Sequence, residues 1–256
     1  MGILGRFLGG VGNTVKASTP VRLSGSGRVS VVGESHYQPA LKAAARGRAV
    51  RDLADAMPVD VVLAPEPTNR FDRNAVAVHV DGRTVGYLPR ELAAQYQPTL
   101  MQMAHRGEYG WCTGRIIGGG RGRSYGIHLH LGGPGPDLVF ANSCDGLELM
   151  EADRRVTVSG FDHSAAPYPV GPDGRLPTLA ASLALGTVDS GKYAGQPCLD
   201  VAIDGRRVGC FTARMTERYL PLVRPLLDAG RLPGCEVTAH RQDDTLKAWA
   251  LMPRVD

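Results

Sequence analysis

Residues 65–89 read PEPTNRFDRNAVAVHVDGRTVGYLP, and this stretch decides the fold of the first half of the chain. Residues 75–80 carry a valine at every second position, Asp81-Gly82 has the composition of a two-residue hairpin turn, and residues 84–88 supply the returning strand. A polar loop with an aromatic residue, an acid and two asparagines precedes the first strand. The stretch therefore predicts a polar loop joined directly to a β-hairpin.

The hairpin is repeated 123 residues downstream. From Val78 to Cys112 this shift matches ten of 35 residues without a gap, which is too many for chance and predicts two copies of one module. The identical residues of the second copy are Val201, Asp204, Gly205, Arg206, Val208, Gly209, Tyr219, Pro221, Gly230 and Cys235. The polar loop is not repeated. The positions equivalent to Asn69, Phe71, Asp72 and Asn74 hold Lys192, Ala194, Gly195 and Pro197. We expect the copies to share a scaffold but not a site.

Length and composition agree with two domains. The 256 residues suit two domains of roughly 100–130 residues each. With 33 Gly and 18 Pro, many turns and short strands are expected. The predicted fold is mainly β with short helices (α+β), in two small OB-like, strongly bent β-barrel modules in tandem. The predicted divisions are a flexible tail at 1–21, a first domain at 22–135, a linker at 136–151 and a second domain at 152–256.

Local patterns place the individual elements. In the first copy, strands are predicted at 29–33, 59–63, 75–80, 84–88, 111–117 and 124–131. In the second copy, they are predicted at 156–160, 199–203, 207–211, 235–240 and 247–251. Helices are predicted at 39–57, as one helix or two interrupted at Gly47, and at 89–105 and 212–229. Pro98 and Pro221 are expected to break or kink the last two.

The charge distribution indicates which kind of partner the chain can bind, and the cysteine content indicates its redox compartment. Residues 22–135 hold 14 Lys/Arg against 9 Asp/Glu, a net +5, whereas residues 152–256 hold 13 against 12, a net +1. The first copy is thus the better candidate to bind a polyanion. Five cysteines without a Cys-x-x-Cys pair predict reduced thiols in a cytoplasmic protein. The first twelve residues are too short and too interrupted for a secretory or membrane segment, so no membrane partner is expected.

Three motifs follow one another in the first copy: VVGESHY at 31–37, EPTNRFDRNA at 66–75 and VGYLPR at 85–90. Together they resemble the HIRAN domain, a small module found at the N-terminus of some helicase-like fork remodellers and, in bacteria, alone or joined to other domains. The resemblance covers residues 22–135. The second copy matches only the hairpin and the helix, so it resembles a degenerate HIRAN-like domain.

The resemblance implies binding of the 3′ end of single-stranded DNA in a pocket built on the polar loop around Asn69. Phe71 would stack on the terminal base. Tyr37 and His36 would clamp the other side, and Tyr87 would complete the wall. Since phosphates repel a carboxylate, Asp72 has a place there only as the acceptor of a hydrogen bond from a terminal hydroxyl, which a free 3′ end supplies.

Phosphates would be neutralised by arginines. Arg70 and Arg73 flank the acid, and Arg121 and Arg123 in the hairpin tip are weaker candidates. Ser35 stands where the eukaryotic pattern has a basic residue, which predicts a looser hold on the phosphate.

A purely structural role competes with several of these assignments. Asx side chains often cap their own turns, so Asn69 and Asp72 can act within the loop alone, and Asn74 is assigned to the turn. Phe71 can also pack inward.

Three further patterns were rejected. Residues 186–192 have the spacing of a phosphate-binding loop, but Tyr193 stands where Ser or Thr should bind magnesium. His128 and His130 have no convincing third ligand nearby in sequence. Residues 143–145 have no partner histidine for nucleophilic catalysis. No catalytic residue, metal or cofactor is predicted.

Two functions remain open at this stage. The first is a non-enzymatic DNA-end-binding module in DNA repair, replication or mobile-element biology, serving as an adaptor for a separate helicase or nuclease. The alternative is a protein-interaction or scaffold protein that keeps the fold without binding DNA. Burial of the loop, or pairing of its arginines with Glu66 and Asp72, would favour the alternative.

Overall fold

The computed structural model describes residues 19–25, 27–51, 55–151 and 154–255. The chain divides into two compact units, Met1–Leu138 and Val139–Asp256. Both units are built mainly from β-strands. Among the described residues, no helix combines the length and apolar character needed to cross a membrane.

The described residues of the first unit form one curled sheet and two α-helices. Its elements are β1 (Thr19–Arg22), β2 (Arg28–Ser30), α1 (Gln38–Ala44), β3 (Met57–Pro65), β4 (Val76–Val80), β5 (Arg83–Tyr87), α2 (Arg90–His105), β6 (Glu108–Gly118) and β7 (Tyr125–His130). The antiparallel order is β2-β7-β6-β3-β4-β5, and β1 adds to β6 in parallel. Just after β2, Val32 exchanges two backbone hydrogen bonds with Tyr87 at the end of β5, of 2.8 and 2.9 Å. The two ends of the sheet therefore meet, and the sheet curls back on itself.

The second unit has the same arrangement. Its elements are β8 (Leu147–Leu149), β9 (Arg154–Val158), β10 (Leu179–Thr187), β11 (Pro197–Ile203), β12 (Arg206–Cys210), α3 (Ala213–Asp228), β13 (Leu232–Gln242) and β14 (Thr245–Met252). The antiparallel order is β9-β14-β13-β10-β11-β12, and β8 adds to β13 in parallel. Here Ser159, just after β9, exchanges backbone hydrogen bonds of 2.8 and 3.0 Å with Cys210 at the end of β12.

The agreement extends to single residues at the 123-residue offset. A register irregularity follows Val78 in the first hairpin and Val201 in the second. The helices α2 and α3 have 16 residues each and start 123 residues apart. Tyr96 and Tyr219, on these helices, each donate a side-chain hydrogen bond to a backbone carbonyl late in their own unit. The common origin of the two units stays a prediction, which this shared geometry supports.

The helix α2 passes through Pro98, so the break expected there does not occur. Its buried face, formed by Ala93, Tyr96, Leu100 and Met103, packs into the unit and holds the helix together. Pro98 and Ala94 are both exposed. The carbonyl of Ala94, which loses its helical donor, therefore lies on the side where water can bind it. The helix α3 likewise passes through its prolines.

Several sequence predictions need correction. Among the described residues of the helix expected at 39–57, only 39–44 are α-helical, in α1, and Met57 already belongs to a strand. The predicted tail lies mostly outside the described residues, but positions 19–21 belong to β1. The predicted linker contains β8, and β10 was not predicted at all. The five cysteines are free thiols, and Cys112 and Cys235, which are equivalent in the repeat, are both buried.

The closing contact between β2 and β5 requires a glycine. A Cβ on Gly86 would lie 2.4 Å from a side-chain carbon of Val31 and 2.7 Å from the carbonyl oxygen of Val32. At the equivalent position, a Cβ on Gly209 would lie 2.7 Å from the carbonyl oxygen of Ser159. Any side chain here would push the two ends of the sheet apart.

We expect Gly86→Ala to lower the free energy of unfolding by about 3 kcal/mol, since it adds a backbone clash to unfavourable dihedral angles. Gly107→Ala is the matched control, because Gly107 also has a positive φ of 76° but nothing lies within 4 Å of its Cβ position. That control should cost only about 1 kcal/mol. Urea titration of both variants measures the difference, and equal losses would show that the closing contact is not tight.

Candidate nucleic-acid interface

A cavity of about 550 Å³ opens beside the loop between β3 and β4. Six of the ten predicted site residues line it: Tyr37, Asn69, Arg70, Phe71, Asp72 and Tyr87. Buried Ala75, Leu88 and Ala93 give it an apolar floor, and Val32 and Arg90 complete the lining. The polar loop and the hairpin thus meet around one concave site, as a binding pocket requires.

The loop is shaped by its own Asx side chains. The Oδ1 of Asn69 accepts hydrogen bonds from the backbone N–H groups of Phe71, at 2.9 Å, and Asp72, at 3.3 Å. Its Nδ2 donates to Oε2 of Glu66 at 2.7 Å. The Oδ1 of Asp72 in turn accepts from the N–H of Asn74 at 2.9 Å. Asn69 therefore fixes the positions of the aromatic ring and the acid that follow it.

Phe71 does not pack inward, because 76% of its surface is exposed. The guanidinium of Arg70 lies 4.5 Å from the ring centroid and stacks on the ring. A large aromatic side chain held this openly at the rim of a cavity is a surface for stacking on a partner.

The acid of the loop has a cationic partner that sequence reasoning missed. The Nε of Arg90 lies 3.1 Å from Oδ2 of Asp72, and the guanidinium stays largely exposed while the carboxylate is mostly covered. Arg90 is the first residue of α2, directly after the hairpin. Arg90 is the last residue of the VGYLPR motif, and this position is the only sign in the sequence that Arg90 belongs to the site. Nothing in the sequence pairs it with Asp72. Each carboxylate oxygen has one partner here and can accept a second hydrogen bond.

The far wall is formed by two tyrosines. The rings of Tyr37 and Tyr87 lie 6.2 Å apart at an angle of 53°. The hydroxyl of Tyr87 donates to Oε2 of Glu66 at 3.4 Å, the oxygen that also holds Asn69. Burial, together with the neighbouring Tyr37 and Glu66, raises the pKa of Tyr87 far above its usual value. Tyr87 therefore stays a neutral hydrogen-bond donor at any physiological pH.

The remaining four predicted residues lie outside the cavity lining. His36 is exposed in the short helical turn before α1, and Arg73 is exposed in the loop itself, where its carbonyl accepts a hydrogen bond from Nε2 of Gln97 at 2.5 Å. Arg121 and Arg123 are exposed in the connection between β6 and β7. Within the described ranges, neither Arg70 nor Arg73 forms an ion pair with a carboxylate. The loop is open, and its own arginines Arg70 and Arg73 are not paired with Glu66 or Asp72; the arginine that pairs with Asp72 is Arg90 of α2.

The second unit lacks this constellation at the equivalent positions. Ala194, Gly195 and Ala213 stand 123 residues after Phe71, Asp72 and Arg90. The aromatic ring, the carboxylate and its cation are all missing there. The two units share the scaffold, and only the first one carries this site.

Residues 24–118 match the HIRAN domain family. The matched segment runs from before β2 to the end of β6 and includes the loop, the hairpin and α2. HIRAN domains bind single-stranded DNA and its 3′ ends. No curated protein and no solved structure matches the chain.

The loop geometry makes a prediction about Asn69. Asn69→Ala removes the acceptor for two backbone N–H groups and the donor to Glu66, so it should cost about 1–2 kcal/mol of unfolding free energy. Asn74→Ala is the matched control, because only the backbone N–H of Asn74 takes part in the loop hydrogen bonds. The control should change stability by less than about 0.5 kcal/mol. Thermal and urea unfolding decide between the two outcomes, and equal effects would contradict a special role for Asn69.

Proposed function

We propose, from the premise that residues 24–118 form a HIRAN domain, that this chain binds the 3′ end of single-stranded DNA in the cavity beside the β3–β4 loop. The observation that carries the proposal is the exposed ring of Phe71 at the rim of a cavity that also contains the carboxylate of Asp72. The ring supplies a stacking surface, and the carboxylate supplies an acceptor. These are the two contacts that a strand terminus needs and a continuous strand cannot fully use.

Stacking accounts for affinity without sequence preference. The terminal base would lie on Phe71, opposite the wall formed by Tyr37 and Tyr87, and a stacked base contributes roughly 1–3 kcal/mol. Every base has an aromatic face, so this contact accepts any nucleotide. The guanidinium of Arg70, already on the ring, adds positive charge next to the bound strand.

Selection of the end depends on Asp72. A terminal 3′ hydroxyl can donate to an oxygen of Asp72, whereas an internal nucleotide or a 3′ phosphate would bring negative charge against it. Arg90 pairs with the carboxylate in a fixed orientation, and its exposed positive charge can attract the first phosphate upstream. Arg73, beside the loop, is a further phosphate contact.

The wider role follows from what such a module can do. A domain that recognises a strand terminus by stacking and one hydrogen bond has no chemistry of its own to perform. We infer that the chain is a non-enzymatic adaptor that presents DNA ends to a separate helicase or nuclease, in repair, replication or mobile-element biology.

One observation favours the scaffold alternative. Both oxygens of Asp72 already have partners inside the protein, the N–H of Asn74 and Arg90. If these two contacts leave Asp72 unable to accept a further hydrogen bond, the loop is only a structural turn and DNA binding has been lost.

An end-preference experiment separates the two functions. We expect the full-length chain to bind an oligonucleotide with a free 3′ hydroxyl at least tenfold more tightly than the same strand with a 3′ phosphate. Asp72→Asn keeps the shape but loses the charge, so it should erase most of this preference. Fluorescence anisotropy at one fixed salt concentration measures all four affinities. If the wild type binds both ends equally, the pocket assignment is wrong, and if it binds neither, the scaffold function replaces it.

The stacking role has its own test. Phe71→Ala should weaken binding of both oligonucleotides by roughly 1–3 kcal/mol. Tyr193→Ala is the matched control, since Tyr193 is an exposed aromatic residue that also lies beside a cation, Lys192, in the β10–β11 loop. That control should leave affinity unchanged. Equal losses in the two variants would mean that DNA does not stack at the β3–β4 loop.

A further inference from the structure

Three potential metal ligands converge in the second unit, at the end of the β11–β12 hairpin. The Sγ atoms of Cys198 and Cys210 and a carboxylate oxygen of Asp200 lie within 4.8 Å of one another. Asp200 and Cys210 are directly opposite on neighbouring strands, and Cys198 is two residues earlier on the strand of Asp200, which puts all three on one face. The Sγ of Cys198 lies 3.3 Å from Oδ1 of Asp200.

The cluster occupies the place that the DNA cavity has in the first unit. At the 123-residue offset, Cys198 and Cys210 correspond to Ala75 and Tyr87, both of which line that cavity. Asp200 corresponds to Ala77 and shares its register, because Ala77 faces Tyr87 as Asp200 faces Cys210. The two units therefore differ at three neighbouring side chains on one face of the shared hairpin.

A fourth change makes room for the carboxylate. Gly186 lies opposite Cys198, and a Cβ on Gly186 would lie 2.1 Å from Oδ2 of Asp200. In the first unit the corresponding partner of Ala75 is Glu66, whose N–H donates to the Ala75 carbonyl. In the second unit, Gly186 stands opposite Cys198, where the first unit has Glu66 opposite Ala75. The acid lies instead on the hairpin strand, at Asp200, and a side chain larger than glycine at 186 would obstruct it.

We propose that this cluster is a binding site for Zn²⁺, with Cys198, Cys210 and Asp200 as ligands. Two sulfur atoms select a thiophilic ion over Mg²⁺ or Ca²⁺, which prefer oxygen. Three protein ligands leave the fourth tetrahedral position for water or an incoming donor. The ligands are buried or half-buried, so the ion would be shielded from most of the solvent.

Arg207 keeps the cluster stable before the ion enters. Its Nε lies 2.7 Å from Oδ1 of Asp200, and its Nη1 pairs with Asp189. When a cation takes over Asp200, Arg207 retains Asp189 as a partner, so neither charge is left alone. Arg207 competes with the ion for the same oxygen, and its removal should raise metal affinity.

The test uses the reduced, metal-free full-length chain titrated with Co²⁺ and then with Zn²⁺. We expect one equivalent of Co²⁺ to give thiolate-to-cobalt charge-transfer absorption, which Zn²⁺ then displaces. Cys198→Ser and Cys210→Ser should abolish the band, and Cys144→Ser, which removes a half-exposed thiol of the same unit, should keep it. Each variant is checked for folding by circular dichroism in chelator.

Three charge variants test the carboxylate without touching a buried thiol. Asp200→Asn should weaken Co²⁺ binding at least tenfold. Asp189→Asn takes the other carboxylate from Arg207 but removes no ligand, so it should leave the affinity within a few-fold. Arg207→Gln should bind more tightly than the wild type. These variants also decide the matter if the serine variants do not fold.

Three results would overturn the proposal. One is a reduced wild-type chain that shows no charge-transfer band at excess Co²⁺. Another is a band that persists when both cysteines are replaced. The third is a chain that binds no metal but readily forms a Cys198–Cys210 disulfide with a thiol oxidant, which would make the pair a redox site instead.

Discussion

The backbone contact that joins the two ends of each curled sheet is the constraint on which both sites depend. Val32 pairs with Tyr87 in the first unit, and Ser159 pairs with Cys210 in the second. The contact brings the residues just after β2 and β9 against the ends of β5 and β12. A glycine next to the paired hairpin residue, Gly86 or Gly209, leaves room for this approach. Without this closing contact, the backbone at Tyr87 and at Cys210 would not be held in place. The tyrosine wall of the first unit and the cysteine cluster of the second would then have no fixed geometry.

The proposed DNA site of the first unit contains two acids. Glu66 accepts hydrogen bonds from Asn69 and Tyr87, and Asp72 is paired with Arg90. Each carboxylate is thereby held in place by donors of the protein, and the charge of Asp72 is partly neutralised by Arg90. An unpaired acid would only repel phosphate, whereas a paired acid with a remaining lone pair can accept a hydroxyl.

The parts of the structure that sequence predicted well are those encoded by neighbouring residues. Alternating valines and Asp81-Gly82 specify the β4–β5 hairpin, and the loop contacts of Asn69 span three residues or fewer. The errors arise where contacts are distant or patterns are weak. The strand β10 is rich in alanine, β1 and β8 are only three or four residues long, and Pro98 is tolerated because of its solvent-facing position. The Asp72–Arg90 pair joins residues 18 positions apart, and no spacing rule relates them.

The cysteine cluster was invisible to motif reasoning for a related reason. Metal motifs are recognised when ligands are close in sequence, as in Cys-x-x-Cys, but here the two thiols come from neighbouring strands and meet only through the hairpin register. That register is fixed by the same turn, irregularity and glycine that shape the first hairpin. The backbone at positions 87 and 210 is therefore held by the closing contact, while the side chain at that position is free to differ. In the two proposed sites, a tyrosine there completes a wall for stacking and a cysteine there completes a set of ligands, so one scaffold would support two unrelated chemistries at the same point.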